Sequence, residues 1–171
     1  DNLGFAKANN RASEIATGKY LLILNPDCFL EKNSLSLAIE RYKRGDCGVL
    51  GFKLYNRDGS QQLSIRKFPK IKDVFLFCLR INHWPKIFSY FSDYFQLKFN
   101  YEKEQAVEQV MGACFLIETD LFKLLKGFDE KFYIWFEEVD LCKRVVDLGY
   151  QNLYYPLASA VHVGGQSFNQ A

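Results

Sequence analysis

The run Tyr20-Leu21-Leu22-Ile23-Leu24 constrains the fold more than any other stretch of the chain. It is continuous, lacks the polar alternation of a half-solvated strand, and reads as a short strand covered on both faces. Such a strand needs a layer on each side, and its flanks carry helical patterns. Residues 5–17 repeat small apolar side chains at helical spacing, with Ala8, Ala12, Ile15 and Ala16 expected inward and Gly18 as the stop. Beyond the run, Asn33 is placed to cap a helix reaching about Arg44, with Leu35, Ala38, Ile39 and Tyr42 inward and Gly45 as terminator. Helix, buried strand and helix in succession point to an α/β fold.

Residues 49–55 and 61–66 look like strands around Asn56-Arg57-Asp58-Gly59-Ser60, whose Asp-Gly pair favours a hairpin. Segment 68–105 concentrates aromatic residues among lysines and is expected to hold two short amphipathic helices. A strand over 107–118 is interrupted at Met111-Gly112-Ala113; Thr119 can then cap a short helix ending at Gly127. A further helix is expected from about Glu137 to Leu148, stopping at Gly149, followed by strands over 151–155 and 159–163. No internal repeat divides the 171 residues, which suffice for one domain with one substantial core.

Composition excludes several classes. With 49% hydrophobic and 25% charged residues the chain is not of the disordered type. Its net charge of +2 is too small for a binder of nucleic-acid backbones. No run approaches the roughly 18 apolar residues of a membrane span. Cys28, Cys47, Cys78, Cys114 and Cys142 form no Cys-x-x-Cys pair and read as small buried hydrophobes in a reducing compartment.

Three stretches could carry chemistry. Asn25-Pro26-Asp27 falls at the carboxyl end of the apolar strand, where open α/β sheets bind ligands. A carboxylate there can hold Mg²⁺ or Mn²⁺ bridged to a diphosphate; the same residue types also make an ordinary turn, and the triplet alone leaves both readings open. Glu137-Glu138-Val139-Asp140 opens a helix, where the macrodipole favours each carboxylate by about 0.3 to 1 kcal/mol. Asp140 stands one turn before Arg144, as an ion pair requires. The preceding Tyr133, Ile134, Trp135 and Phe136 would desolvate a carboxyl and raise its pKa, as a general base near neutral pH requires. His162 closes a strand before Gly164-Gly165, as a structural histidine or as a ligand; His83 receives no role.

Taken together, these stretches resemble the family 2 glycosyltransferases, and within them the rhamnosyltransferase-like enzymes that build bacterial surface polysaccharides. Asn2-Leu3-Gly4-Phe5-Ala6 with Asn9-Asn10 resembles the donor-site segment, and Leu24-Asn25-Pro26-Asp27 that group's form of the Asp-x-Asp metal motif. Gly112-Ala113 resembles the strand motif beside the acceptor, while Gly127-Phe128-Asp129-Glu130 and Trp135-Phe136-Glu137-Glu138-Val139-Asp140-Leu141 with Arg144 are similar to the stretch holding the base. Pro156 and the segment 162–167 are similar to the family's usual ending. Asn25 stands where the wider family has Asp, and Glu138 where many relatives have the Asp of a Glu-Asp pair, so the base lies between Glu137 and Glu138.

The resemblance implies a GT-A-like α/β fold with a mostly parallel sheet and flanking helices. It implies one family 2 catalytic domain over 1–171, covering the C-terminal two-thirds, with 68–105 as a variable aromatic-rich segment on the acceptor side. Asp1 is not a methionine, and the strand-helix-strand units that grip the nucleotide base in this family are expected to precede it. The implied reaction is inverting transfer of a sugar, rhamnose among the candidates, from a nucleotide-diphosphate sugar to a hydroxyl of a surface polysaccharide or lipid-linked glycan. Glu138 or Glu137 would be the base. Asn2, Gly4, Asn9, Asn25, Asp27, Gly112 and Ala113 would face the donor, and Trp135 and Asp140 the acceptor. Asp27 and His162 would hold Mg²⁺ or Mn²⁺. The reaction is expected in the cytoplasm, with peripheral contact at the inner face of the plasma membrane and no nucleic acid. Two other readings stay open: a non-catalytic remnant or split half needing a partner for nucleotide binding, and a metal-dependent phosphoesterase. The latter would require a second carboxylate beside Asp27.

Overall fold

The computed structural model describes residues 3–73, 92–132 and 135–164. Helix α1 (Phe5–Ile15) leads into strand β1 (Tyr20–Leu24), the short strand β2 (Cys28–Leu30), helix α2 (Ser34–Tyr42) and the long strand β3 (Cys47–Tyr55). Strands β4 (Ile65–Arg66), β5 (Gln105–Val107), β6 (Gln109–Val110) and β7 (Cys114–Glu118) follow. Helices α3 (Thr119–Leu124) and α4 (Glu137–Asp147) then lead to strand β8 (Gln151–His162).

The main sheet runs β1-β7-β3-β8-β2, with β5 paired beside β2 along the same edge of β8, while β4 and β6 form a separate two-stranded ribbon. Side chains alternate between two cores. Leu21, Ile23, Val49, Phe115, Ile117 and Tyr154 face the layer that contains α1, α3 and α4. Leu50, Phe52, Leu54, Cys114, Leu116 and Leu153 face Ala38 and Tyr42 of α2. The result is a helix-sheet-helix sandwich. Strand β1 lies at the end of the described sheet with Leu21 and Ile23 buried, Tyr20 and Leu22 partly covered and Leu24 exposed, so the full cover expected on both its faces is not realised.

The mostly parallel sheet is corrected. Among the described residues only β3 and β8 pair in parallel; β1/β7, β3/β7, β2/β8 and β5/β8 are antiparallel. A continuous apolar run reports cover on both faces and carries no information about strand direction. The five residues of β7 show the same pattern, four of them buried, inside an antiparallel setting.

Helix α1 turns a different face inward than expected. Ala6 and Ser13 are buried, while Ala8, Ala12 and Ile15 face outward, Ile15 being 83% exposed. The polar face is drawn in because Asn10 binds the chain at Phe128. In α2, Ala38 and Tyr42 point inward as expected but Leu35 is exposed, and Asn33 occupies the cap position without a side-chain cap bond. The two terminal strands are one: β8 continues past Pro156, and the register with β3 jumps from Phe52↔Tyr155 to Lys53↔Ser159. Pro156 has no N–H for the ladder. The interruption at Met111-Gly112-Ala113 separates β6 from β7 as expected. Cys28, Cys47, Cys114 and Cys142 are buried free thiols. Cys78 and the helices expected in 68–105 fall largely or wholly on 74–91, outside the described residues.

Candidate active site

Strand β1 ends at Leu24, and the chain turns at once. The Asn25 N–H donates to the Ala113 carbonyl (2.9 Å) and the Cys28 N–H to the Asn25 carbonyl (3.0 Å). The antiparallel pairing of β2 with β8 sets Cys28 opposite His162, and the Val163 N–H donates to the Asp27 carbonyl (3.0 Å). Two residues far apart in sequence thereby become neighbours. Asp27 Oδ1 and His162 Nε2 lie 3.4 Å apart, with side chains only 13% and 12% exposed. The other ring nitrogen, Nδ1, lies 2.9 Å from Gln62 Oε1.

An oxygen and a nitrogen donor at that separation can bind one divalent cation. Among the described residues no group of three or more His, Cys, Asp or Glu side chains is arranged for a metal. The described residues thus bring together two candidate donors, a set that suits an ion completed by substrate phosphates and water. Among the described residues the protein offers no second carboxylate of the kind a two-metal phosphoesterase needs.

The second half of the site is the start of α4. Trp135 and Phe136 both adopt left-handed backbone conformations, with φ of 66° and 70°. Two bulky residues there cost on the order of 1 to 3 kcal/mol each, strain that clusters at functional positions. They deliver Glu137 and Glu138 onto the first turn of the helix. The Glu138 carboxyl is pushed up to about 7, mainly by burial and further by the charge of Glu137, against the opposing pull of Arg66 and the helix amides. A Cβ placed on Gly112 would lie 3.5 Å from Glu138 Cβ and Cγ, so Gly112 lies directly beside this side chain with room for about one methyl group between them. Glu137 is buried as well, its carboxyl is also raised by that burial, and its Oε2 has no hydrogen-bond partner among the described residues.

Segment 111–113 joins the two halves: Gly112 backs Glu138, and the Ala113 carbonyl holds Asn25, two residues from Asp27. Asp27, His162, Gly112, Ala113, Asn25 and Glu138 thus belong to one connected region. Asp140 is engaged elsewhere. Its Oδ2 accepts from Arg144 Nε (2.7 Å), and Arg144 also donates to the carbonyls of Leu125 and Gly127, fastening α4 to the end of α3. Trp135 is 60% exposed. On the donor side, Gly4 caps α1 with φ 78°, and Asn9 donates to Phe5 of its own helix. Asn2 lies outside the described residues.

Gln62 is absent from the sequence-based expectations, and Asn10, named there only within the donor-side Asn9-Asn10 pair, takes a positioning role instead. Asn10 donates to the Phe128 carbonyl and accepts from the Phe128 N–H, both at 2.9 Å, tying α1 to the turn before α4. Gln62 reaches His162 from the turn after β3, where the expected hairpin is reduced to an isolated Tyr55↔Gln61 bridge because β4 pairs with β6 instead. Neither carries a local signal, because each acts across about a hundred residues of chain.

The family model described as "Glycosyl transferase family 2" matches residues 1–123. The chain belongs to glycosyl transferase family 2. This family 2 chain is 27% identical over 173 residues to an N-acetylglucosaminyl-diphospho-decaprenol L-rhamnosyltransferase of Mycobacterium tuberculosis (strain ATCC 25618 / H37Rv), covering 94% of this chain and 56% of the relative. It is 29% identical over 172 residues to rhamnosyltransferase WbbL of Escherichia coli (strain K12), covering 93% of this chain and 60% of the relative. The chain thus spans little more than half the length of these relatives. A solved structure of GalNAc-T7 with UDP, GalNAc and Mn²⁺ matches 94% of this family 2 chain and 30% of its own, with a TM-score of 0.63 and 13% identity. That likeness is one of fold, and the fold is GT-A. Among the described residues no helix is long and apolar enough to cross a membrane.

Proposed function

We propose that this chain carries the catalytic centre of an inverting glycosyltransferase that moves a sugar, rhamnose by analogy with its relatives, from a nucleotide-diphosphate sugar to a hydroxyl of a lipid-linked or cell-surface glycan. The observation that carries the proposal is the joining of Asp27-His162 and Glu138 through the single segment 111–113. Asp27 and His162 hold a divalent cation, Mg²⁺ or Mn²⁺, which when bound supplies positive charge opposite the leaving diphosphate. Glu138 accepts the proton of the acceptor hydroxyl, whose oxygen attacks the anomeric carbon on the face opposite the departing diphosphate. A carboxyl that titrates near pH 7 suits this proton transfer, because it is ionised in a large share of molecules and still basic enough to take a proton.

Beyond Arg66, which faces Glu138, a shallow cleft is lined by Lys67, Phe68, Lys70, Lys72, Asp73, Asp93 and Tyr94. Its three lysines outnumber its two aspartates, although Lys67 is paired with Asp93, and with two aromatic rings the cleft suits an acceptor held on an anionic carrier at a membrane surface. The deciding experiment is Glu138→Gln in the intact protein. Donor binding is retained while turnover falls by about 10² to 10⁴, and Glu137→Gln costs less. Full turnover by Glu138→Gln removes the assignment; a collapse confined to Glu137→Gln moves it one residue.

A further inference from the structure

The hydrogen bonds behind His162 run in one direction, and a carboxylate sets it. Asp58, in the turn after β3, accepts from the Ser60 N–H (2.9 Å) and from the Ser60 hydroxyl (2.6 Å). Having given its one proton to Asp58, Ser60 Oγ accepts from Asn56 Nδ2 (2.9 Å). The Asn56 amide is thereby oriented with Oδ1 toward Gln62, whose Nε2 donates to it (2.9 Å). Gln62 is left with its oxygen toward His162 Nδ1 (2.9 Å). Reversing the amides would require Ser60 to turn its proton away from an ionised carboxylate. The backbone holds the relay in place: Asn56 N–H donates to the Ser60 carbonyl (2.8 Å), Gln62 N–H donates to the Leu54 carbonyl (2.9 Å), and Gly59 supplies the φ of 81° that closes the turn.

An amide oxygen only accepts, so the ring proton that meets it sits on Nδ1. In the neutral ring Nε2 then carries a lone pair, 3.4 Å from Asp27 Oδ1. Two acceptors face each other with no proton between them, and a cation resolves that arrangement. The other tautomer would place a proton on Nε2, satisfy Asp27 internally and close the site.

We propose that Asn56 and Gln62 are positioning residues that fix the Nδ1–H tautomer of His162, so that Nε2 is presented beside Asp27 as a ligand rather than as a hydrogen-bond donor. The proposal rests on the reading of Asp27 and His162 as a cation site, yet its first readout needs no metal and no turnover.

The test uses the intact protein with ¹⁵N-labelled histidine, the His162 ring being assigned by its disappearance in His162→Gln. At a pH where the ring is neutral, the metal-free wild type shows a protonated Nδ1 and an unprotonated Nε2. Gln62→Leu, of similar size but without an acceptor, moves the proton to Nε2 and weakens Mn²⁺ binding about ten- to hundredfold, the usual effect of losing a supporting partner. Gln62→Glu keeps an acceptor at Nδ1 and restores most of the affinity. A wild-type ring protonated on Nε2, or a Gln62→Leu protein with unchanged ring and Mn²⁺ affinity, overturns the relay. Asn56→Ala, in the exposed turn, carries the same test should Gln62→Leu fail to fold: a mixture of tautomers is expected, and an unmixed Nδ1–H ring overturns the proposal. Asp27→Asn run in parallel separates the two levels. Mn²⁺ binding sensitive to Asp27→Asn but not to Gln62→Leu refutes the relay alone, and binding insensitive to both refutes the cation site beneath it.

Discussion

Glu138→Gln should change how stability depends on pH as much as it changes turnover. The Glu138 carboxyl is raised from 4.5 to about 7, which at about 1.4 kcal/mol per pH unit corresponds to about 3 kcal/mol. Burial dominates, the Glu137 carboxylate adds to it, and Arg66 and the first amides of α4 oppose it. Because the folded state holds this proton more tightly than the unfolded chain, the contribution to stability is complete below pH 4.5. It is lost as pH rises through about 7. Glutamine has the same shape and no proton to lose. Urea unfolding of both proteins between about pH 5 and 8 should therefore show Glu138→Gln gaining on the wild type by about 3 kcal/mol across that range. Glu137, also raised, is present in both proteins, so to first order it cancels. In the same window wild-type kcat/KM should fall about tenfold per pH unit below about 7, while the variant is slow and flat. Unfolding curves that stay parallel within about 1 kcal/mol, or a wild-type break near the ordinary carboxyl value of about 4.5, would refute a desolvated base at this position.

Asp27→Asn and His162→Ala should each weaken Mn²⁺ binding by more than the roughly ten- to hundredfold typical of a supporting residue, with little further loss in the double variant; calorimetry on the intact protein checks this. Gly127→Ala should cost more than about 1 kcal/mol, since the position has φ 70° and a Cβ would lie 2.4 Å from Asn10 Oδ1. Asn10→Ala should cost about 2 kcal/mol by leaving both backbone groups of Phe128 unpaired. The two losses should add up to less than their sum in thermal melts, because they share one contact.

Local chemistry was legible and long-range register was not. The start and stop of α4, the break at Met111-Gly112-Ala113 and the burial of Cys28, Cys47, Cys114 and Cys142 follow from residue type and spacing within a dozen positions. So do the candidates Asp27, Glu138 and His162, whose residue types announce acid, base and ligand chemistry. That Asp27 and His162 meet depends on β2 lying antiparallel against the end of β8. Nothing in Cys28-Phe29-Leu30 specifies that partner. The inward face of α1 was misjudged for a related reason: small apolar side chains at helical spacing lost to an asparagine that had a backbone partner at Phe128. The left-handed pair Trp135-Phe136 had no sequence signal either, since bulky residues are the last expected at positive φ.

The connection between base and cation site also depends on a residue remote from both. Gly51 lies in β3 beneath the β4/β6 ribbon, and a Cβ there would stand 2.4 Å from Val110 Cγ1 and 2.8 Å from Val110 Cβ. Val110 ends β6, two residues before Gly112. Adding one methyl at Gly51 must lift β6 by roughly 1 Å to reach ordinary contact distance. Gly112 moves with it, and the wall beside Glu138 is displaced. A misplacement of that size at a reacting group can cost on the order of 10² in rate. The cation ligands sit differently: the Asn25–Ala113 hydrogen bond leads back to segment 111–113, but Asp27 is also held by Val163 and His162 by Gln62, contacts that do not pass through β6. Gly51→Ala should therefore lower turnover about a hundredfold while leaving Mn²⁺ affinity within about twofold. Equal losses of turnover and Mn²⁺ affinity would mean general unfolding of the sheet. Unchanged turnover would mean that the position of Glu138 does not depend on the ribbon, and the role given to segment 111–113 would fail with it.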